Sequence, residues 1–378
     1  MTLLSTRGSY NITQTRRVMD VPDEIFLLQP DAAPLVQIMT KAKKKDTINP
    51  EFSWYERDLY PKRDAVATGA ANTTSATTFI ATTAIFHTYD VIKNETTKEQ
   101  MLVTAKSGTT ITVSRAWGTT AIDTITAADY MVVLGNANEE GHAAPGIKSE
   151  TETLCYNYCQ DFRSPFEVTD ILQNSELYGG NDLQNERVIH AIEHKVDIER
   201  AFLFGERKQD TSTGTHPIRA TGGILSFIST YATTMTTATE TLFESFCEDA
   251  FAYGSNTKLF IGSPKWISAL NYWGRGKLQT VPKDQTYGIN IKEYLTGHGT
   301  LLVAQHRLLT GTYYGGYGIV VDLDKISMRV MKNLGTKLRT NIQANDETKE
   351  KDEYRTVCGL QVNNQACHAI VKGMTAFS

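Results

Sequence analysis

The stretch Asp182-Leu-Gln-Asn-Glu-Arg-Val-Ile-His-Ala-Ile-Glu-His-Lys-Val-Asp-Ile-Glu-Arg-Ala-Phe-Leu-Phe-Gly205 predicts one long α-helix. Asn181 or Asp182 is a candidate N-cap after the Gly179-Gly180 break, and Gly205 is a C-terminal stop. An apolar stripe recurs at helical spacing, at Ile189, Ile192, Val196 and Leu203. At ~1.5 Å per residue, the helix forms a rod of about 35 Å.

The segments around this helix predict a mixed α and β fold. Residues 150–210 carry the most helical pattern of the chain, and helices and strands alternate from 221 to 332. For residues 221–332, the pattern predicts helices at 240–253 and 264–272 and strands at 258–262, 299–304, 319–324 and 326–331. Residues 337–343, 354–362 and 366–372 predict an antiparallel set of C-terminal strands.

Two parts of the chain have no core of their own. Residues 1–58 predict an extended, partly helical arm that is interrupted at Pro30 and Pro34. Residues 64–140 are rich in Thr and alternate in polarity, which predicts a small β module. Its clearest hairpin turns at Ser107-Gly108 and places Ile111 and Val113 on one face. Parts of this kind are buried by neighbouring subunits, which is typical of an assembly protein.

The charge and length exclude several classes of protein. The 378 residues predict two or three domains. With 38 Lys and Arg against 42 Asp and Glu, the formal charge is −4, which argues against a protein built to grip nucleic acid. The basic cluster at Lys41 and Lys43 to Lys45 predicts a solvated segment. The sequence predicts neither a signal peptide nor a membrane span.

The five cysteines are odd in number and scattered, which predicts buried free thiols in a reducing compartment. They are Cys155, Cys159, Cys247, Cys358 and Cys367. The glycine-containing stretches Gly274-Arg-Gly276 and 315–318 have no phosphate-loop spacing and predict turns.

The sharpest chemical motif is His190-Ala-Ile-Glu-His194, which fits the H-x-x-E-H pattern of zinc peptidases. On a helix both imidazoles lie on one face, where they could bind one Zn²⁺, with Glu193 as general base. A further carboxylate ligand would be needed, and Glu244 and Glu248 are candidates. The zinc-dependent peptidase is therefore the alternative function.

We favour another interpretation of the motif, in which the two histidines bind no metal. His190 and His194 lie among many charged residues, which predicts that both are solvated side chains on a charged helix face. These neighbours are Glu186, Arg187, Glu193, Lys195, Asp197, Glu199 and Arg200. No other nucleophile or carboxylate-pair motif occurs.

The chain as a whole resembles the major capsid proteins of tailed bacteriophages with the Hong Kong 97-type fold. It is similar in particular to Podoviridae-type head proteins with a β domain added to the extended loop. The resemblance rests on diffuse patterns at 17–35, 49–58, 91–104, 182–205 and 219–228.

This resemblance implies an α+β Hong Kong 97-like fold and a role for each segment. Residues 1–58 would be the N-terminal arm and 59–150 the extended loop with its inserted β domain. Residues 151–220 would form the peripheral domain with the long spine helix. The axial domain would span 221–335, and 336–378 would return as strands to the peripheral domain.

The resemblance also implies a structural protein and not an enzyme. It would self-assemble into hexamers and pentamers of an icosahedral or prolate head around double-stranded DNA. It would need no cofactor, metal or catalytic residue and would contact no membrane. Portal, scaffolding and decoration proteins would be its partners. It would be assembled in the host bacterial cytoplasm and remain in the virion.

Overall fold

The computed structural model describes residues 33–67, 74–141, 146–175, 181–212, 214, 216–274 and 292–378. The chain divides into two compact units. One is continuous, Tyr55–Leu154, and is called the barrel unit. The other combines Met1–Trp54 with Cys155–Ser378 and is called the main unit. Predictions for 1–32 and for Arg275 and Gly276 lie outside the described residues.

The described elements are numbered in chain order. The helices are α1 (Pro34–Ala42), α2 (Asp170–Gln173), α3 (Asp182–Phe204), α4 (Ile224–Phe227), α5 (Glu240–Phe251), α6 (Pro264–Gly274) and α7 (Gly311–Tyr314). The first twelve strands are β1 (Lys44–Thr47), β2 (Glu51–Glu56), β3 (Arg63–Ala65), β4 (Thr78–Ile80), β5 (Asp90–Asn94), β6 (Gln100–Ser107), β7 (Thr110–Ser114), β8 (Tyr130–Asn136), β9 (Thr153–Tyr158), β10 (Gln160–Thr169), β11 (Lys208–Asp210) and β12 (Ile218–Ala220). The others are β13 (Ala232–Thr234), β14 (Thr237–Ala238), β15 (Thr257–Gly262), β16 (Lys292–Leu295), β17 (Thr300–Gln305), β18 (Gly318–Val321), β19 (Ile326–Met331), β20 (Lys337–Arg339), β21 (Lys349–Val362), β22 (Ala369–Lys372) and β23 (Ala376–Phe377).

The main unit is built on two sheets. A five-stranded sheet has the order β1-β19-β21-β10, with β20 also paired to β21. A six-stranded sheet has the order β13-β22-β18-β15-β17-β16. One apolar core lies between α1, α3 and both sheets, and a second surrounds α5 and α6. The two-stranded pairs are β2 with β9, β11 with β12, and β14 with β23.

The predicted bounds of the long helix are confirmed. The Asn181 side chain accepts a hydrogen bond from the Gln184 amide, which caps the start of α3. A Cβ atom at Gly205 would collide with the carbonyl oxygens of Ala201 and Thr221, so only glycine allows this close approach.

The predicted apolar stripe of α3 is only partly right. Its members Ile189, Ile192 and Val196 are half-buried, while Leu203 is buried. The buried side consists of Leu183, His194, Ile198, Glu199, Phe202 and Leu203. Two polar residues therefore occupy core positions, because their side chains find hydrogen-bond partners there.

Two further predictions are wrong in part. Residues 153–169 lie in the segment predicted as most helical, yet they form β9 and β10. Phe162, Phe166 and Val168 are buried on alternate positions of β10, which is a strand pattern. The C-terminal strands do not form one antiparallel set, because β22 joins the six-stranded sheet, parallel to β13 and antiparallel to β18.

The barrel unit contains a closed barrel in the order β3-β8-β5-β6-β7-β4. Val66 forms an antiparallel bridge with Ala81, and the Ala67 N–H donates to the Ile80 carbonyl at 2.8 Å. These bonds join the first strand to the last. The predicted hairpin at Ser107-Gly108 is confirmed, with Ile111 and Val113 buried inside. Its interior holds twelve buried apolar side chains, so the prediction that residues 64–140 have no core of their own is wrong.

Candidate functional site

His194 of the predicted zinc motif lies in the core between α3 and the five-stranded sheet. Its Nε2 is 2.7 Å from the Thr356 hydroxyl, and its Nδ1 is 2.9 Å from the Ser164 hydroxyl. Thr356 donates its own proton to Thr336, so it accepts from Nε2–H of His194. Burial favours the neutral imidazole, and with its proton on Nε2 the ring accepts from the Ser164 hydroxyl through Nδ1. Both ring nitrogens are occupied by hydroxyl groups.

Burial lowers the pKa of His194, although nearby Asp197 and Glu353 act in the opposite direction. The expectation that His194 is solvated is wrong, because its side chain is 1% exposed. A neutral histidine that bonds the two hydroxyl groups of Ser164 and Thr356 has a structural part in this core.

His190, one turn earlier, has a different environment. Its Nε2 lies 3.2 Å from a Glu186 oxygen, and its Nδ1 lies 3.0 Å from a Glu193 oxygen. The ring stacks on Phe166 at a centroid distance of 4.9 Å. The structure therefore engages the two motif histidines with separate partners.

The other candidate zinc ligands lie elsewhere in the main unit. Glu244 and Glu248 belong to α5, which packs in the second core. Across the part of the chain that the structure describes, no three His, Cys, Asp or Glu side chains are grouped so that they could hold a metal ion. No observation on this chain supports the peptidase alternative.

A third ionisable group on α3, Glu199, is fully buried. Its carboxylate accepts hydrogen bonds from the Leu35 amide at 2.9 Å and the Val36 amide at 2.6 Å. These amides belong to the first turn of α1, where backbone donors have no partner within the helix. The prediction that Glu199 lies on the charged solvent face is therefore wrong.

His306 supplies the third donor to Glu199. The Leu308 amide donates to Nδ1 of His306 at 3.2 Å, so the proton is on Nε2 and is donated to Glu199 across 2.6 Å. Three elements of the main unit thus meet at one buried carboxylate: α1, α3 and the turn after β17. We call this the Glu199 cluster. No local motif marks it, because its members are 107 to 164 residues apart.

A second buried cluster surrounds Lys258. Its ammonium donates to the carbonyl oxygens of Ala250, Tyr253 and Cys367 at 2.6 to 2.7 Å, which caps the end of α5. Burial lowers the pKa of Lys258, and the nearby Asp322 opposes this effect. All three ammonium protons are used, so the group is structural.

His368 is close to this cluster. Its Nδ1 accepts from the Asp322 amide at 3.1 Å, and its Nε2 faces the Asn363 carbonyl at 3.3 Å. The ring is therefore neutral, and burial lowers its pKa to about 4. Sequence reasoning identified neither Lys258 nor His368.

The cysteines behave largely as predicted. All five are free thiols, and all except the half-buried Cys155 are buried. Burial raises the pKa of Cys159 to about 11 and that of Cys247 to about 12, so these thiols stay protonated at neutral pH.

The barrel unit has its own buried carboxylate, Glu99. Its pKa is lowered: burial alone would raise it, but hydrogen bonds from Arg115 and from the Ala116 and Asp123 amides outweigh that effect. Arg115 donates two hydrogen bonds to Glu99, at 2.8 and 2.6 Å, and both side chains are almost fully buried. This pair fixes the loop between β7 and β8.

The comparison with protein families covers almost the whole chain. Residues 5–375 match the family described as SU10 major capsid protein. The chain belongs to the SU10 major capsid protein family. The resemblance to tailed-phage major capsid proteins is therefore confirmed, whereas the β-domain insertion stays a prediction.

The chain is similar in sequence to a curated protein, the major capsid protein of Pseudomonas phage PaMx41. It is 25% identical over 275 residues, which cover 68% of this chain and 66% of the relative. The match thus spans slightly less than two thirds of the relative's length.

A solved structure supports the fold. The capsid of a native GTA particle is similar with a TM-score of 0.51 and 8% identity, over 98% of this chain and 100% of that chain. The predicted α+β fold of the Hong Kong 97 type is confirmed. No helix among the described residues is long and apolar enough to cross a membrane.

Proposed function

We propose that this protein is the shell subunit of a tailed-phage head. Copies associate into hexamers and pentamers, and these form an icosahedral or prolate container for double-stranded DNA. The observation that carries the proposal is the family match over residues 5–375. The shell function is structural, and the subunit is not an enzyme.

The arrangement of the chain supports a division of labour. In this proposal, 1–58 serve as the arm and 59–150 as the extended loop with a β insertion. Residues 151–220 and part of 336–378 make the peripheral domain around α3, and 221–335 make the axial domain. Since β22 pairs with β18, the last strands contribute to the axial side as well.

The proposed partners follow from the shell. Copies of the chain contact one another within and between the hexamers and pentamers of the shell. A portal protein replaces one pentamer. Scaffolding and decoration proteins bind the shell. Assembly takes place in the host bacterial cytoplasm, and the product is part of the virion. A formal charge of −4 suits a container that encloses DNA without holding it tightly.

The test is the assembly state of the purified full chain over a wide concentration range. Size-exclusion chromatography with light scattering should show association, and negative-stain microscopy should show rings or closed shells. A protein that stays monomeric at the highest concentration, with and without a crowding agent, contradicts the proposal.

A further inference from the structure

Strand β9 of the main unit carries two tyrosines on its outward side. The residue between them, Asn157, points inward and is fully buried. Its amide nitrogen donates to the carbonyl oxygens of Gly222 and Leu360 at 3.0 and 2.6 Å, and its side-chain oxygen accepts from the Gly222 amide at 2.8 Å. Because side chains alternate along a strand, Tyr156 and Tyr158 lie on the other side of β9. Their rings are in contact at a centroid distance of 5.7 Å, so the chain holds them as a fixed platform.

An exposed arginine is stacked on this platform. The guanidinium carbon of Arg207 lies 4.0 Å from the ring centroid of Tyr156, and one N–H group donates to the Tyr156 carbonyl at 2.7 Å. The ring centroid of Phe227 lies 5.9 Å from the same carbon. Aromatic faces and a carbonyl orient a guanidinium but do not neutralise it. Arg207 is therefore held in place and keeps its full positive charge at the surface.

A second arginine lies beside the first. Arg219 belongs to β12 and is opposite Gln209 in the β11–β12 hairpin, where its Nε–H donates to the Gln209 side-chain oxygen at 3.0 Å. Burial raises the pKa of Tyr158, and the charges of Arg207 and Arg219 oppose this effect, so both guanidinium groups are close to one hydroxyl. We call Tyr156, Tyr158, Arg207, Gln209 and Arg219 the two-arginine cluster.

The two arginines of this cluster differ from most others in the chain. Eight arginines lie at ion-pair distance from a carboxylate: Arg57, Arg63, Arg115, Arg163, Arg187, Arg200, Arg339 and Arg355. Among the described residues, Arg207 and Arg219 form no such pair, and they contact only neutral groups. Each guanidinium carries several N–H donors, and these contacts engage a single one in each. The cluster therefore presents two positive charges with donors still available.

Three acidic residues lie near the two-arginine cluster, in the sequence or in space. Glu206 lines a separate cavity, together with Lys372. Asp210 is on the opposite face of the β11–β12 hairpin from the cluster, because side chains alternate along β11. Glu51 is exposed and contributes to the raised pKa of Tyr158, so its carboxylate is close to the cluster. On this face, two positive charges therefore meet one negative charge.

We propose that the two-arginine cluster binds backbone phosphates of double-stranded DNA. A guanidinium group can donate two parallel hydrogen bonds to one phosphate, and such charge-assisted bonds are about twice as strong as neutral ones. The two tyrosine hydroxyls and the Gln209 amide supply further donors of the kind that contact phosphate oxygens. This inference rests on the proposed shell function, in which the shell encloses DNA, and it identifies a place where the subunit contacts that DNA.

Two charges in each copy fit a weak contact. The formal charge of −4 argues against a continuous basic lining, so a single copy binds DNA weakly. In a shell, many copies offer the same cluster to one long ligand, and weak contacts at many points add up. The DNA is then held loosely at many places and can still move.

Backbone phosphates fit the two-arginine cluster better than a carboxylate of a second copy does. Duplex DNA carries one negative charge per about 1.7 Å of its axis, so neighbouring phosphates can engage both arginines at once. A single carboxylate has fewer oxygen atoms than the two guanidinium groups and their neighbouring donors can satisfy. Contact with a second copy is therefore an alternative outcome of the test.

The test measures binding of a short fluorescein-labelled DNA duplex to the full chain, by fluorescence anisotropy at protein concentrations below assembly. The variant Arg207→Gln with Arg219→Gln should bind the duplex about tenfold more weakly or worse. The slope of the logarithm of the binding constant against the logarithm of the salt concentration should become shallower by about 2, because two phosphate contacts are lost. Arg207→Lys with Arg219→Lys should retain most of the affinity, since an ammonium group also binds a phosphate.

The matched control carries Lys195→Gln with Lys265→Gln, which removes two exposed lysines outside the cluster. It changes the net charge equally and should leave the affinity and the salt slope unchanged. A circular dichroism melt shows that each variant is folded. Equal loss of binding in the lysine and glutamine variants of the cluster means that the arginines act only by packing on Tyr156 and Gln209, and this result overturns the inference.

The outcomes separate this inference from the shell function, because light scattering follows assembly independently of DNA binding. An unchanged protein that assembles but does not bind the duplex overturns the inference and leaves the shell function standing. An unchanged protein that never assembles overturns the shell function itself. If Arg207→Gln with Arg219→Gln binds the duplex normally but assembles poorly, the cluster serves a contact between copies and the inference is wrong. Binding of inorganic phosphate without binding of the duplex assigns the cluster to free phosphate and also overturns the inference.

Discussion

Each of the two units buries a glutamate, and the two glutamates are stabilised in different ways. Glu99 of the barrel unit accepts from Arg115, Ala116 and Asp123, all within 24 residues of it. Glu199 of the main unit accepts from residues that are 107, 163 and 164 positions away. The buried glutamate of the barrel unit is therefore stabilised by residues that are close to it in the sequence. The main unit depends on joining segments that are distant in the chain, including α1.

This difference predicts separate unfolding of the two units, and the largest effect is expected at Glu199. Glu199→Ala leaves the Leu35 and Val36 amides and the His306 ring without their acceptor inside the core. Because breaking such a buried cluster leaves polar groups unpaired, the main unit should lose about 3–5 kcal/mol of unfolding free energy. Denaturant unfolding followed by near-ultraviolet circular dichroism measures the loss.

Hydrogen exchange locates the effect of Glu199→Ala. The amides of Leu35 and Val36 should exchange faster, while those of the barrel core stay protected. The matched control is Glu193→Ala on the exposed side of the same helix, which should cost less than about 0.5 kcal/mol. Equal losses in both variants contradict the importance of the Glu199 cluster.

The corresponding change in the barrel is Arg115→Ala. It leaves Glu99 buried with only backbone donors, so the barrel unit should lose about 3 kcal/mol while the main unit is unaffected. Arg63→Ala is the control, since the Arg63 pair with Glu95 is exposed and should contribute below about 1 kcal/mol. Simultaneous loss of both units in the Arg115 variant shows that they unfold as one.

Acid should distinguish the units as well. The folded pKa of His368, about 4, is below its ordinary value of 6.5, so the unfolded chain binds more protons between these limits. The stability of the main unit therefore falls as the pH falls below 6.5, by about 2 kcal/mol at pH 5. Burial lowers the pKa of His194 and adds to the loss.

The barrel should respond only in stronger acid. The lowered pKa values of Glu99 and Asp129 mean that their stabilisation is present above their ordinary values of 4.5 and 3.8 and is lost as pH falls further. Thermal unfolding at pH 7, 6 and 5 tests this order. His368→Asn should flatten the pH dependence of the main unit, and parallel loss of both units from pH 6.5 downward contradicts the prediction.

The smallest effect is expected at His190. The ring is half-buried and contacts Phe166, so His190→Ala should cost below about 1 kcal/mol and leave the metal content unchanged. His194→Ala is the comparison, because it removes the partner of Ser164 and Thr356 and should cost about 2–3 kcal/mol. Near-stoichiometric zinc that is lost in His190→Ala, measured by elemental analysis, favours the peptidase alternative.

The parts of the fold that sequence predicts well have local determinants. The Asn181 cap and the Gly205 stop bound α3 correctly, and the alternation around Ser107-Gly108 identifies the hairpin. The wrong predictions concern residues whose partners are far away in the chain. Glu199 and His194 are polar in sequence. Their burial is favourable because Glu199 bonds α1 and His306, and His194 bonds Ser164 and Thr356.

The same reasoning applies to strands. The alternation of Phe162, Phe166 and Val168 is visible in the sequence, but the helical pattern after Asp182 dominated the prediction for the whole segment. The direction of β22 was not predictable from its own residues, because an apolar run such as Ala369–Lys372 fits either sheet. Pairing partners are set by long-range packing, which residue patterns do not encode.

The closed ladder of the barrel has a consequence for a protein that works in many copies at close quarters. A strand with a free edge is a template on which an identical strand from the next molecule can add, and repeated addition ends in fibres. Among the described residues, the Val66 to Ala81 bridge pairs the ends of the first and last strands of the ladder, so these two strands offer less free edge to another molecule. Crowding of these modules therefore favours contacts through side chains, and aggregation by strand exchange is suppressed.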